Sequence, residues 1–252
     1  MKRSMIVTDV TRMGAPGVCV AGFFADDGTA VRPIMPYRSH ERVTEGFLWK
    51  DDRLVVMPFA EVRLEFLRRV SDPPHTEDWE IDPRYRPEAV RVLSMEERRD
   101  FLRNHLDDSV GAIFGAPIQG DKYIRKGDGH RSLGTILTRQ VSEIRYGHRE
   151  YSDGVAKWDY RIWFTDYADR EYSLAITDLT FRTACDYLIT HKEWSVGKVS
   201  EWLTGFLGER DVYLRIGLAR AWEKYPDRCY IQVTGVYSFP DYLGGKTLAD
   251  FV

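Results

Sequence analysis

The chain has 252 residues, 43% hydrophobic and 30% charged, with a formal net charge of −3. That mix belongs to a folded protein able to bury one large or two small cores, and it excludes both a disordered chain and one that holds polyanions by bulk charge. Cys19, Cys185 and Cys229 are odd in number and far apart, in no Cys-x-x-Cys or Cys/His spacing, which points to reduced thiols and away from structural zinc.

The opening MKRSMIVTDV is basic, but its apolar run is too short for a signal peptide and Asp9 interrupts it. No run approaches the roughly 18 apolar residues of a membrane span, so the expectation is a cytoplasmic protein with no membrane partner. SMIVTDV is short and β-branched and predicts a strand. GVCVAGFFADDGTAVRPIMP predicts a hairpin turning at Asp26, Asp27 and Gly28, with Pro33 and Pro36 ending its second strand or placing it at an edge. In DRLVVMPFAEVRLEFLRRV, Val62, Leu64 and Phe66 alternate with Arg63, Glu65 and Leu67, which predicts an extended strand bent near Pro58.

SDPPHTEDWEIDPRYRPEA breaks this pattern. Pro73, Pro74, Pro83 and Pro87 forbid a long helix and predict a surface connection. SMEERRDFLRNHL then carries a capping box, Ser94 with Glu97, and Phe101, Leu102 and Leu106 share a helical face. The glycine-rich GAIFGAPIQGDKYIRKGDGHRSLGTI reads as loop and short extended pieces.

The second half begins with the strand-like LTRQVSEIRYGHREY. KWDYRIWFTDYADREYSLAIT is a hairpin turning at Ala168 and Asp169, and DLTFRTACDYLIT a helix capped by Asp178. VGKVSEWLTGFLG is a further short amphipathic helix. DVYLRIGLARAW and RCYIQVTGVYSF are strands joined by the charged turn EKYPD. Strand, hairpin, helix, hairpin is the order of an OB-type barrel, and the N-terminal third reads as a weaker version of the same plan. The expected fold is mainly β with short helices: an OB-like small β-barrel over 1–90, a helical and glycine-rich connector over 91–122, and a second OB-like barrel over 123–252, the two barrels being joined through proline-rich and helical chain.

Few motifs for chemistry survive inspection. No stretch has Walker A spacing, and GDGHRS begins like Gly-x-Gly-x-x-Gly but has Ser132 where the third glycine belongs. SVGK (Ser195 to Lys198) matches Ser-x-x-Lys, but its would-be partners, SDG at Ser152 and GGKTL at Lys246, fall in the wrong order or lack a required residue. His75, Glu77 and Asp78 stand within four residues. They are either loop-fixing hydrogen-bond partners or acid/base and metal-ligating groups that Asp9 or Asp166 would have to complete. No metal or redox cofactor and no catalytic residue is assigned.

The remaining signal is a surface. Strand alternation puts Trp158, Tyr160, Ile162 and Phe164 on one face, and Arg161 and Trp163 on the other. Val212, Leu214, Ile216 and Leu218 likewise oppose Tyr213 and Arg215. Arginine and aromatic side chains on an open sheet suit stacking and phosphate contacts with a single strand. The expected nucleic-acid face is therefore Arg161, Trp163, Tyr213 and Arg215. Arg125, Lys126, His130 and Arg131 reach in from the connecting loop, and Arg220 and Trp222 stand at its edge.

VCVAGFFADDGTAVRPI, PHTED, RSLGTI, YLRIGLAR and CYIQVTGVYSFPDYLGGKTLADF, in that order, resemble the prokaryotic dual OB-containing domain family over most of the chain. The resemblance implies two OB-like barrels and nucleic-acid binding, within a bacterial conflict or defence locus, and supplies no catalytic residue. The leading expectation is thus a non-enzymatic module for single-stranded DNA or RNA. The alternatives are a scaffold for a partner protein or nucleotide-like signal, and a metal-dependent hydrolase built on His75, Glu77 and Asp78.

Overall fold

The computed structural model of the chain describes residues 1–14, 16–36, 42–150 and 156–251. Its first strands are β1 (Lys2–Arg12), β2 (Val18–Phe24) and β3 (Ala30–Ile34). A 3-10 turn at Glu45–Leu48 and the small hairpin of β4 (Trp49–Lys50) and β5 (Arg53–Leu54) lead to β6 (Ala60–Arg69), β7 (Asp78–Ile81) and β8 (Glu88–Val92). The sheet runs β1-β2-β3-β7-β6-β8, and β1 also pairs with β6, which closes a barrel of the first five of these. The β3–β7 pairing is parallel and the others are antiparallel. This is a closed OB-type barrel.

Local chemistry explains these elements. Phe59, just after Pro58, has φ +65° and donates its N–H to the Val7 carbonyl (2.7 Å), making the bend that lets β6 start beside β1. Gly22 faces β1 so closely that a Cβ would lie 2.0 Å from the Ile6 carbonyl oxygen. The inward set Met5, Val7, Val20, Phe24, Val62 and Phe66 belongs to one apolar core.

The chain continues through α1 (Met95–Arg103), α2 (Val110–Ile113), β9 (Tyr123–Arg125), β10 (Leu133–Leu137), β11 (Gln140–Glu150), β12 (Ala156–Thr165) and β13 (Glu171–Ala175). It ends with α3 (Leu179–Thr190), α4 (Val196–Gly208), β14 (Asp211–Leu218), β15 (Arg228–Phe239) and a 3-10 turn at Leu248–Asp250. β10 and β11 act as one bent strand, because β10 pairs with β14 and β11 with β12. One sheet runs β11-β12-β13 and the other β10-β14-β15-β9; the parallel bridge Ile176↔Val233 ties them. The same plan is present here in a more open form.

Both α3 and α4 fall between the third and fourth strands of this barrel. Asp178 Oδ1 accepts from the Thr180 (2.8 Å) and Phe181 (3.2 Å) amides, and Ser195 Oγ from the Lys198 amide (3.2 Å). The Ser-x-x-Lys match at Ser195 is therefore a helix cap. α4 covers the free edge of β11: Thr204 Oγ1 accepts from the Ile144 amide (2.8 Å) and Ser200 Oγ from the Tyr146 amide (3.0 Å).

Two expectations fail where the barrels meet. Tyr213 and Arg215 do lie opposite the inward set of β14, but that side faces the first barrel, and Arg215 is 0% exposed. Its Nε donates to Asp9 of β1 (3.0 Å) and its Nη1 to Thr135 of β10 (2.7 Å), while Thr234 Oγ1 donates to the other Asp9 oxygen. Tyr213 packs with Ile6, Phe59 and Leu102. The proline-rich segment is likewise no mere surface connection. It contributes β7, and His75, Glu77 and Asp78 are all buried.

Candidate functional site

The turn between β14 and β15 occupies the place where an OB barrel presents its loop between the fourth and fifth strands. Backbone bonds set its conformation: Tyr225 N–H to the Trp222 carbonyl (2.8 Å) and Arg228 N–H to the Tyr225 carbonyl (3.2 Å). Trp222 is 54% exposed and meets Tyr225 edge-on, with ring centroids 5.6 Å apart. β9 pairs with the start of β15, placing Arg125 opposite Arg228 and Tyr123 opposite Tyr230. Lys126 N–H donates to the Asp227 carbonyl (2.9 Å), which ties the glycine-rich loop to the same turn.

The result is a compact patch of rings and cations. The Arg228 guanidinium lies 4.9 Å from the Tyr123 ring centroid and 4.8 Å from that of Tyr225, and Lys224 lies 5.6 Å from the latter. The Tyr230 hydroxyl, 3.5 Å from Arg228 Nη1, raises the pKa of that guanidinium. Asp227, 3.8 Å from Arg228 Nε, is the carboxylate at its side. Of the residues expected to bind, Arg125, Lys126 and Trp222 come to this edge, whereas Arg220, in the same turn, directs its guanidinium to Asp78 of the first barrel. The expected binding set lacks Tyr123, Tyr225, Arg228 and Tyr230, although strand alternation in CYIQVTG puts Tyr230 on the outer face of its strand. For the others the signal was the tyrosines flanking the cations in YIRK and EKYPDRCY, and nothing local said that these two stretches pair.

Other expected residues are placed elsewhere. Arg131 is half-buried and donates to the Ile113 carbonyl and to Asp107, so it holds the loop in place. The His130 side chain is exposed, and its carbonyl accepts from Thr76 Oγ1 (2.6 Å). Arg161 and Trp163 share the outer face of the β11-β12-β13 sheet and are only half-buried. Carboxylates interleave there: Arg161 Nε approaches Asp159 (3.4 Å), and Arg145, stacked 4.5 Å over Trp163, bonds Glu143 (3.1 Å). The loop of Arg125 and Lys126 meets the β14–β15 turn, and Arg161 and Trp163 form a separate surface from both Tyr213 and Arg215.

Glu77 and Asp78 are structural mortar between the barrels, while the ring nitrogens of the buried His75 have no hydrogen-bond partner among the described residues. Glu77 Oε1 accepts from the Ser132 (2.6 Å) and Leu133 (3.2 Å) amides of the second barrel. Asp78 accepts from Arg32 Nε (2.7 Å) and from Arg220, whose side chain is 44% exposed. Burial, with Arg32, Arg220 and Lys126 nearby, pushes the His75 pKa down to about 2. Asp9 is held by Arg215 and Thr234, and Asp166 accepts from the Val110 amide (3.1 Å), so neither joins that loop. Among the described residues no cluster of three or more His, Cys, Asp and Glu is placed to hold a metal ion. Ser152 lies outside the described residues.

A closed barrel, a second barrel on the same plan and an exposed loop at the edge of the latter define a two-barrel OB protein. The dual OB-containing domain family matches residues 2–236, nearly the whole chain, and the chain belongs to that family. No curated protein matches it. Among the described residues no helix is long and apolar enough to cross a membrane.

Proposed function

We propose that the protein binds single-stranded nucleic acid, DNA or RNA, at the edge formed by β9 and the β14–β15 turn. The observation that carries this reading is the exposed Trp222 beside Tyr225, Tyr230 and Tyr123, with Arg228 between the rings and Arg125 and Lys126 alongside. Rings of this kind stack on bases of any sequence, and the cations follow the phosphates. The cations Arg125, Lys126, Lys224 and Arg228 share these turns with Asp128, Glu223 and Asp227, so phosphate contacts here are local ones that do not need a basic whole chain. Arg161 and Trp163, with Asp159 and Glu143 interleaved, lie outside this edge. Tyr213 and Arg215 drop out of it, because a ligand would have to separate the barrels to reach them.

The test is titration of labelled single-stranded DNA and RNA oligonucleotides at two salt concentrations. Binding that weakens with salt, and that weakens again in Trp222→Ala, is the expected result. No binding at low salt overturns it. A second reading rests on the alternation of Arg145 and Arg161 with Glu143 and Asp159. A face of mixed charge suits a protein partner better than a polyanion, and in that case charge reversal at Arg161 would abolish a pull-down while sparing oligonucleotide binding.

A further inference from the structure

The rings of the proposed nucleic-acid edge are mostly spent on one another. Tyr225 meets Trp222 at an interplanar angle of 74° and Tyr230 at 66°, and Tyr230 meets Tyr123 at 52°. The Arg228 guanidinium lies between the rings of Tyr123 and Tyr225, and its Nε is buried. Rings inclined edge to face hold each other but offer no run of parallel platforms for successive bases. Tyr123, Tyr225 and Tyr230 are half-buried, whereas Trp222 is 54% exposed. Trp222 is thus the ring of this group that is open to a base.

The charges are equally local. Arg125, Lys126 and Lys224 are exposed, but carboxylates stand beside each of them. Glu223 separates Trp222 from Lys224 in the turn, Asp227 adjoins Arg228, and Asp128 follows Lys126 by two residues; all three carboxylates are exposed. Gly127 N–H donates to the Pro73 carbonyl of the first barrel (3.1 Å), which brings the exposed Asp72 to the same margin. Arg220 is held by Asp78 and adds nothing outside the seam. A strand that runs on past this cluster meets like charge, which costs affinity instead of adding to it.

We propose, resting on the reading of this edge as a nucleic-acid site, that it takes only a short segment of strand. One base stacks on Trp222, the phosphates next to it meet Arg125, Lys126 and Lys224, and Asp72, Asp128, Glu223 and Asp227 end the track. The three residues of β9 span about 10 Å at the rise of a strand. The footprint is then about four nucleotides, the low end for an OB fold. Length beyond that adds registers but no contacts.

The experiment is titration of the full chain with oligothymidylates and oligouridylates of four, eight and twelve nucleotides, over a range of salt concentrations. From the four-mer to the twelve-mer the affinity should rise no more than about tenfold, the gain from extra registers alone. The slope of log affinity against log salt should stay near about −2 at every length, about 0.7 for each of the three cations. Asp128→Asn combined with Glu223→Gln, changes at two exposed side chains, should raise the affinity of the twelve-mer severalfold and that of the four-mer less. The inference is overturned if the twelve-mer binds and the four-mer does not, if the slope steepens with length, or if the double variant gains nothing on the twelve-mer. Failure of every length at low salt overturns the nucleic-acid reading itself, and this inference with it.

Discussion

The two barrels share a plan but use the loop between their fourth and fifth strands in opposite ways. In the first barrel this loop, residues 70–77, turns into the seam, where His75 is 3% exposed and Glu77 takes two amides of the second barrel. In the second barrel the equivalent loop, residues 219–227, shows Trp222 to solvent, while its Arg220 reaches Asp78 in the seam. Repetition of a fold therefore does not repeat a surface. The first loop buries His75 and Glu77 in the seam, and the second gives the seam Arg220 but keeps Trp222 exposed.

The largest expected effect comes from breaking the seam itself. Arg215→Ala leaves Asp9 buried without its cation and should cost about 3–5 kcal/mol in urea unfolding; a loss below about 1 kcal/mol would show that the seam does not depend on this pair. The buried loop also predicts a pH dependence. The fold holds the His75 pKa near 2, whereas its ordinary value is 6.5, so below the latter the unfolded chain binds a proton that the folded chain refuses. Stability is thus full above that value and falls as the solution is acidified, at up to about 1.4 kcal/mol per pH unit. His75→Gln should flatten that slope in unfolding curves recorded across the mildly acidic range.

The exposed loop predicts the reverse pattern, a binding effect without a stability effect. Trp222→Ala should weaken oligonucleotide binding by about 1–3 kcal/mol and shift stability by no more than about 0.5 kcal/mol. Equal losses in both measurements would erase the distinction between the loops. The smallest effect separates charge from stacking. Replacing Arg125 or Lys126 by Ala should lower the slope of log affinity against log salt by about 0.7 for each phosphate left without its cation, whereas Trp222→Ala should leave the slope unchanged.

Much of this architecture was legible from local chemistry. Ser94, Asp178 and Ser195 mark three helix starts, because each oxygen takes an amide that the first turn leaves free. The alternation in VYLRIGL correctly separated the apolar side of β14 from the side bearing Tyr213 and Arg215. Alternation cannot tell whether the second side meets water or another barrel, and here it meets Asp9 and Phe23. The binding edge was hidden for a related reason. Tyr123 and Tyr230 are far apart along the chain and meet only through the β9–β15 pairing.

Helix caps, turns, inward strand faces and the family all follow from the order of residues alone, since each depends on short-range chemistry or on ordered motifs along the chain. Which polar residues became mortar and which became surface depends instead on how the barrels pack. Asp78 and Arg220 belong to different barrels, and their ion pair exists only because the barrels meet. Burial is a property of that packing, so similar mixtures of arginine and tyrosine yield a buried ion pair at Arg215 and a half-exposed guanidinium beside Asp227 at Arg228.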